Sequence, residues 1–554
     1  MTTPDALGSS GLQAMAGHPA WIAPAGDGEI LLWPPPLLLL ADTLGNHHAL
    51  QSADRVFIQN TSLAELRTAQ RTDLKIANRH LVVASGHQTE LYHPGVWAKD
   101  ALACAIAERL GGQAWHLAVD TDQPKHLALR WPGGQIAITD DSHLTNAAWS
   151  GLLRAPSAEH LARIEAELGG ADLLSNTLMP QALAGLRDYR GNTSISLSAA
   201  LVQAIDRADE SLGMKRQTAL LSPLLAGKPY LALVYHLLAR AGQFAASHNR
   251  ALAEYRQANG IRSLSRPMPD LAVAADQCEA PFWLDHLPSS PSPCTQGEGR
   301  GEGSSDLPNG ERQSNCDPHP RPLPEYMERG QLRARAMVHR VDGKWALTSD
   351  SDSLLFDESL DAWQAASRLG DFLSAHHLRI TPRALTLTLF FRLLIVDQFI
   401  HGIGGARYDR VTDAVINDFF GLTPPRFCVT TATLLPPAAM GRQRVNLPLL
   451  ALQGHRIKHQ LLGKEKGPLV MAIAAAPRRS SQRASLFSKM HGLLATAALG
   501  HPLLLDWQTR FDQAKLQSSR EEILFDRELF FALQTPQRLH SLLTRQRELL
   551  ASEP

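Results

Sequence analysis

The chain of 554 residues is predicted to be an α/β protein built on a parallel sheet. Residues 81–84 form a short apolar run of the kind found in strands that are buried on both faces. An amphipathic helix is expected from about residue 96 to residue 110, and a second strand over residues 113–119. A strand, a helix and a strand in this order are typical of the βαβ unit of a parallel sheet.

This order of segments also predicts a ligand site. The first strand is expected to break at Gly86 into a polar loop, which leads into the helix. Ligands of open α/β sheets bind outside the carboxyl ends of the strands, close to helix N-termini. The side chains expected at that edge are those of His87, Gln88, His93, Asp120 and Asp122. Plainer roles remain open, because such a histidine can pack or cap a helix and such an aspartate can form a turn.

Composition narrows the class of protein. Lys and Arg number 54 together, as do Asp and Glu, so bulk charge does not favour a nucleic-acid partner. Five scattered cysteines without a C-x-x-C pair predict a reducing compartment and argue against a zinc ribbon or a disulfide framework. The first residues lack the order of a signal peptide, and the apolar run 30–41 is too short and too rich in proline to span a bilayer. We therefore expect a soluble, cytoplasmic protein without a membrane partner.

A low-complexity segment divides the chain. Residues 287–324 are rich in Ser, Pro, Gly and Glu, with too little apolar surface to offset the entropy lost on ordering. Its Cys294 and Cys316 are expected to have no chemical role. The predicted regions are 1–285, the N-terminal part of the core with a helical insertion; 286–325, a disordered insertion; 326–450, the second half of the core with a Gly-rich loop; and 451–554, a helical C-terminal region.

The remaining elements follow from periodicity and capping signals. Ser62 and Glu65 have the spacing of a capping box for a helix over 62–70. Further helical patterns cover 157–168, 182–188, 197–208 and 231–255. The second lobe opens with strand patterns at 332–339 and 344–348, and the C-terminal region contains helical patterns at 479–497 and 507–533.

A second group of candidate residues lies in the second lobe. An apolar helix is expected to begin at Thr381-Pro382 and to end near residue 400. It is followed by His401, Gly402, Gly404, Gly405, Arg407 and Tyr408. Glycine lets backbone N–H groups turn toward a ligand as an anion nest, and Arg407 adds a positive charge. The alternative is a tight turn between two helices. Asp397, beside Arg392, is expected to be a partnered structural charge.

Two patches of the chain resemble a known family. Gly86-His87-Gln88, Pro94-Gly95 and Lys99 are similar to the Gly-Gln-Gln, Gly-Pro and Lys signature of the bacillithiol-synthase (BshC-type) cysteine-adding enzymes. The later part of that family's signature is similar to Gly404-Gly405 with Tyr408, Phe419-Phe420-Gly421 and Pro424-Pro425-Arg426-Phe427. The resemblance implies a Rossmann-like core akin to class I nucleotidyltransferases, with helical insertions and a helical C-terminal arm through which a homodimer could form.

The resemblance also implies a reaction. It suggests a ligase or transferase that joins an amine- or thiol-bearing small molecule to an acceptor, with ATP or another nucleotide left open as cofactor. His87 would occupy the last position of the class I His-x-Gly-His motif, and His87 and Gln88 would bind a phosphate or carboxylate. Lys99 would reach the same anion, Asp120 or Asp122 would orient a substrate or act as base, and Arg407 would close the site.

Two alternatives stay open. A metal-dependent hydrolase would draw its ligands from His87, His93, His116, Asp120, Asp122 and His126. No His-Glu-x-x-His or His-x-His pair is present to preset such ligands. A non-catalytic small-molecule-binding protein on the same fold is favoured by Ala84, which stands where the class I motif has its first histidine, and by the lack of a Lys-Met-Ser-Lys-Ser motif.

Overall fold

The computed structural model describes residues 21–142, 147–188, 196–287, 332–349 and 352–551. Within these ranges the chain is a mixed α/β structure, which confirms the predicted class. The predicted disordered insertion, 286–325, lies outside the described residues except for its first two positions.

The strands, in chain order, are β1 (Ile30–Trp33), β2 (Phe57–Ile58), β3 (Thr61–Ser62), β4 (Val82–Gln88), β5 (Gln113–Val119), β6 (Ala128–Trp131), β7 (Gly134–Ala137), β8 (Arg216–Leu220), β9 (Gln277–His286), β10 (Arg333–Val341), β11 (Lys344–Ser349), β12 (Asp352–Leu355), β13 (Leu378–Pro382), β14 (Gln398–His401) and β15 (Phe427–Ala432).

The α-helices are α1 (Pro36–Gln51), α2 (Leu63–Asp73), α3 (Pro94–Leu110), α4 (Ala158–Gly170), α5 (Met179–Arg187), α6 (Leu197–Ser211), α7 (Leu221–Leu224), α8 (Lys228–Ala239), α9 (Ala241–Ala258), α10 (Ala362–Ala375), α11 (Ala384–Phe390), α12 (Ile403–Phe419), α13 (Leu447–Gln460), α14 (Lys466–Ala475), α15 (Ser481–Ala498), α16 (Pro502–Glu521) and α17 (Pro536–Ala551).

The described residues divide into two compact units. The first takes residues from 1–129, 136–434 and 530–554, and its main sheet has the order β1-β15-β14-β4-β5-β8. The strands from β15 to β8 are parallel, and β1 pairs antiparallel with β15. A second sheet of the same unit is antiparallel, with the order β12-β11-β10-β9-β13.

The second unit comprises Arg130–Gln135 and Leu435–Leu529. It contains α13 to α16, and its buried apolar cluster consists of Leu462, Ile473, Met490 and Leu494. The helix predicted over 507–533 is wrong at its end, because α16 stops at Glu521. The homodimer predicted through these C-terminal helices stays a prediction. Within the described ranges, every helix is too short or too polar to traverse a bilayer.

The βαβ unit forms where the sequence predicts it, with one correction. Strand β4 does not break at Gly86 but continues to Gln88, and His87 pairs with Ala118 of β5. Helix α3 begins at Pro94, where the fixed φ of proline suits the first helical position. It ends at Gly111, whose φ of +67° is the left-handed conformation that glycine adopts without strain.

The helix predicted to run from Thr381-Pro382 to residue 400 is wrong. Those two residues end β13, α11 stops at Phe390, and a π-helical turn, Phe391–Ile395, leads into strand β14. All residues of β14 are buried, since it lies between β15 and β4 in the main sheet. Pairing in the sheet therefore overrides the apolar run that suggested a helix.

Asp397 lies buried just before β14 and holds the amino ends of two strands together. Its Oδ2 accepts the backbone N–H of Val82, at the start of β4, over 2.7 Å. Arg67 and Arg71 donate to its two oxygens over 2.6 and 2.8 Å, and His47 Nδ1 lies 3.2 Å from Oδ1. Asp397 is thus a partnered structural charge as predicted, although its arginines come from α2 and not from Arg392.

Replacing Asp397 with Asn is expected to lower the free energy of unfolding by about 3–5 kcal/mol, because two buried guanidinium groups lose their counter-ion. Burial raises the pKa of Asp397, but Arg67 first, then His47 and Arg71, outweigh it and hold the pKa at about 2. The stabilisation is therefore present above the unfolded pKa of about 4 and is lost as the pH falls toward about 2.

Denaturant unfolding at several pH values measures both effects. Asp418→Asn is the control, because the ion pair of Asp418 with Arg250 is largely exposed and its loss should cost less than about 1 kcal/mol. Equal losses for the two variants would contradict the role assigned to Asp397.

Candidate active site at the carboxyl edge of the main sheet

Strands β4, β5 and β14 are neighbours in the sheet and end at the same edge. The structure therefore brings His87 and Gln88 of β4 to the residues that follow β5. Gln88 Nε2 donates to Asp122 Oδ2, which also leaves Asp122 close to the end of β4. His401 ends the neighbouring strand β14.

His87 is held as a neutral base. Its Nδ1 lies 3.2 Å from the carbonyl oxygen of Gln88, which can only accept a proton, so Nδ1 carries the hydrogen and Nε2 keeps its lone pair. Burial, and then the charge of Lys99, lower the pKa of His87 well below its ordinary value. The ring rests against that of Tyr92 with a centroid distance of 5.6 Å, and 23% of the side chain is exposed.

Lys99 is a buried cation beneath the same strand. Its Nζ donates to the carbonyl oxygen of Gly86 over 2.8 Å, and only 4% of the residue is exposed. Burial lowers the pKa of Lys99 to about 8, against the opposite effects of Asp100 and Glu90. The sequence places this lysine in the second turn of α3, on the side of the helix that packs against the sheet.

Glu90 completes the group, and sequence reasoning missed it. Its Oε1 lies 3.6 Å from His87 Nδ1, and its Oε2 accepts the backbone N–H of His126 over 3.2 Å. Burial raises the pKa of Glu90, against the effects of His126 and Lys125. A neutral imidazole, a lysine with a lowered pKa and a carboxylate with a raised pKa thus meet at the end of β4, which is the kind of perturbation found at proton-transfer sites.

A second buried polar group lies between α3 and the sheet. Asp100 accepts from Ser85, lies 2.9 Å from His116 Nδ1 and accepts from the Tyr92 hydroxyl over 3.1 Å. Burial would raise the pKa of Asp100, but His116 and Arg216 outweigh it and keep it well below its usual range. Ser85, His116 and Asp100 are the residue types of a nucleophilic triad. However, His116 turns the same nitrogen toward both partners, so it cannot pass a proton between them.

Several predicted site residues have structural roles. Both carboxylate oxygens of Asp120 accept from Ser222, one from its backbone N–H over 2.9 Å and one from its hydroxyl. His93 is the N-cap of α3, and its Nδ1 accepts the N–H of Gly95 over 3.0 Å. The cap formed by His93 agrees with its plainer alternative, whereas Asp120 binds a residue 102 positions away and does not act as a turn former. Asp122 remains exposed at the edge.

The predicted anion nest at the glycine run is wrong. Gly402 is the N-cap of α12, and Gly404 and Gly405 lie in its first turn; none of the three has a positive φ. Gly405 is required by close packing, because a Cβ there would lie 2.8 Å from His401 Nδ1. What these residues do supply is a helix N-terminus directly after a parallel strand, where backbone N–H groups favour an anion.

The side chains on either side of the glycine run make contacts of their own. His401 is buried, with Nε2 2.9 Å from Asp409 Oδ2. Arg407 donates to the carbonyl oxygen of Trp21 over 2.9 Å, and Tyr408 is 39% exposed. The prediction that Arg407 closes the site over His87 is therefore not supported by its hydrogen bond.

The residues that a metal-dependent hydrolase would use as ligands make separate contacts. His116 bonds to Asp100, His93 caps α3, and Asp120 binds Ser222. In the part of the chain that the structure describes, no group of three or more His, Cys, Asp or Glu side chains is arranged to hold a metal ion.

Two of the cavities in the structure border the main sheet. One, of about 10 Å³, lies beside Gln88, Tyr92 and His116 and has room for about one water molecule. A larger one of about 430 Å³ lies at the opposite, amino edge, where Gln113 and Arg216 begin β5 and β8.

No family model matches the chain, and the search of curated proteins found no match. The resemblance to the bacillithiol synthases accordingly stays a prediction.

The buried lysine predicts a specific dependence of stability on pH. Because the folded pKa of Lys99 is about 8 and the unfolded value is higher, the unfolded state binds more protons between about pH 8 and 10.5. The free energy of unfolding of the wild type, relative to Lys99→Met, should rise across this window by on the order of 3 kcal/mol.

Urea unfolding of both proteins at about pH 7 and about pH 10 measures this difference. Lys215→Met removes an exposed lysine near the start of β8 and is the matched control. A slope of equal size for the control would show that burial of Lys99 is not its cause.

Proposed function

We propose that the chain is a small-molecule ligase or transferase whose active site lies at the carboxyl edge of the main sheet. The observation that carries the proposal is the meeting of a neutral His87, a buried Lys99 and Glu90 at the end of β4. These groups have opposed pKa shifts, and His87 is open to solvent on one side.

The geometry suits attack by an amine or a thiol. As the new N–C or S–C bond forms, the proton of the nucleophile passes to His87 Nε2, and the leaving group of the acceptor departs with the bonding electrons. The positive charge of Lys99 favours an anionic acceptor or leaving group, and so do the N-termini of α3 and α12. In this proposal Gln88 and Asp122 bind the polar groups of the substrate.

The finer description of the fold belongs to the same proposal. Parallel strands in the order β15-β14-β4-β5-β8, with α3 and α12 after two of them, support a Rossmann-like core. A relation to the bacillithiol synthases would add ATP or another nucleotide as a ligand of this edge. Helix N-termini after β4 and β14 are the feature that supports a phosphate there.

We further propose a cytoplasmic location. Cys104, Cys278 and Cys428 are buried and unpaired, which suits a reducing compartment. Burial raises the pKa of the Cys104 thiol to about 12, so this cysteine is a poor nucleophile at neutral pH.

A non-catalytic binding protein is the second candidate. It is supported by Asp120, whose two carboxylate oxygens are occupied by Ser222 and so are poorly placed to act as a base. Such a protein would bind small anions at the same edge but form no product.

Replacing His87 with Gln is expected to lower product formation by about 100-fold or more, because the lone pair that receives the proton is removed. Purified protein is incubated with ATP and a panel of amine- and thiol-bearing small molecules, and products are followed by mass spectrometry. His491→Gln, at an exposed histidine of α15, is the control. Full activity of His87→Gln with a cooperative unfolding transition would disprove the assignment, whereas binding without product in the wild type would favour the second candidate.

The pH profile gives an independent test. In the free enzyme, His87 stays neutral across the neutral range, while Lys99 loses its charge at about pH 8. We expect kcat/KM to be level near neutral pH and to fall above about pH 8. Lys99→Arg should move this fall to higher pH, because a guanidinium group keeps its proton. A fall at the same pH in the variant would assign the titration to another group.

A further inference from the structure

One face of the five-stranded sheet carries four arginines and two carboxylates. On this face Asp285 of β9 accepts from Arg333 of β10 over 2.6 Å and from Arg379 of β13 over 3.0 Å. Further along β9, Glu279 accepts from Arg383 over 2.6 Å, and Arg335 Nη1 lies 3.4 Å from the same carboxylate. These six side chains therefore have an excess of two positive charges.

The two arginines around Asp285 are largely shielded from solvent. The ring of Trp149 lies against both guanidinium groups, at 5.3 Å from Arg333 and 4.7 Å from Arg379. Trp149 is buried, and Arg333 also donates to the carbonyl oxygen of Thr121 over 2.7 Å. This half of the cluster therefore connects the second sheet to the carboxyl edge of the main sheet.

The arginine pair around Glu279 is partly exposed to solvent. The side chain of Arg335 is 53% exposed, although its partner Glu279 is buried. Arg383 lies over the ring of Trp283, at 5.2 Å, and Trp283 is itself partly exposed. One carboxylate shared between two guanidinium groups leaves N–H donors of Arg335 facing solvent.

A buried hydroxyl on the same face has no partner. Thr381 is only 1% exposed, and its Oγ1 makes no hydrogen bond in the structure. Thr381 is the register partner of Trp283, and Arg383 follows directly after β13, two residues further along the extended backbone. Leaving a buried hydroxyl without a hydrogen bond costs free energy. A ligand that accepts a hydrogen bond from Thr381 would remove that cost.

We propose that Arg335, Arg383 and the Thr381 hydroxyl form a binding site for an oxyanion, a carboxylate or phosphate group of a small molecule. The two guanidinium groups supply charge and forked N–H donors, Thr381 supplies a neutral donor, and Trp283 supplies a flat wall beside them. This site goes beyond the function proposed for the carboxyl edge and does not depend on it.

Calorimetric titration of the whole chain with inorganic phosphate and, separately, with succinate tests the proposal, at constant ionic strength set with chloride. We expect saturable binding of at least one of the two anions, and the tighter of them identifies phosphate or carboxylate as the recognised group. Arg335→Gln should weaken this binding by about tenfold or more, since it removes a charge-assisted pair of donors.

Arg340→Gln is the matched control. Arg340 lies on the same strand but on its opposite face, where its guanidinium group rests on Trp345 at 4.2 Å. This variant loses the same charge and should bind the anion as the wild type does. Equal weakening in the two variants would overturn the proposal, because it would reduce the effect to overall charge, and so would a wild type that binds neither anion.

Thr381→Val separates the hydroxyl from the arginines. The change removes an unsatisfied buried group while keeping the side-chain shape, so the midpoint of thermal unfolding should rise in the absence of anion. The same variant should bind the anion several-fold more weakly and gain less stability from it than the wild type. Unchanged anion binding in Thr381→Val would remove the hydroxyl from the site.

Discussion

The pairing of β14 with β4 is the constraint on which the candidate active site depends, and Asp397 fixes that pairing. Its backbone N–H donates to the carbonyl oxygen of Val82, and its carboxylate accepts the N–H of the same residue. Two segments 315 positions apart in sequence are thereby joined at their amino ends. Since a shift of one residue would turn every side chain of β14 to the other face, this double contact sets what reaches the opposite edge.

The register of β14 against β4 also determines which residues lie at the carboxyl edge. Ile400 of β14 pairs with Ser85 of β4, and a Cβ on the next residue, Gly86, would lie 3.3 Å from the ring of Phe399. At the start of α3, a Cβ on Gly95 would lie 2.6 Å from Thr431 Oγ1 of β15. The approach at Gly95 requires glycine and lets the start of α3 pack closely against the sheet. Lys99, one turn further on, is thereby held beneath the strand end.

Local signals account for the parts of the fold that the sequence predicts well. The limits of β5 and the end of α3 at Gly111 follow from an apolar run and a helix stop signal that lie within the segment itself. Strand β14 was missed because its apolar run continues that of α11, and only its position between β15 and β4 shows that it is a strand. The roles of the polar residues likewise depend on tertiary contacts that the local sequence does not show. Whether Asp120 is a base or a structural ligand is decided by Ser222, about a hundred positions away in sequence.

The contrast between two buried charge groups of the first unit supports a functional reading of one of them. Asp397 is surrounded by two guanidinium groups, an imidazole and a backbone N–H, and all of these partners lie within the protein. Lys99 has three N–H donors, and the structure pairs it with the carbonyl oxygen of Gly86 at the end of a strand that opens to solvent. The charge of Asp397 is thus matched by two guanidinium groups, whereas the hydrogen-bond partner of Lys99 is a neutral carbonyl oxygen. In the proposed function, an incoming anion supplies the negative charge that balances Lys99. His87, whose side chain is 23% exposed, lies at the same strand end.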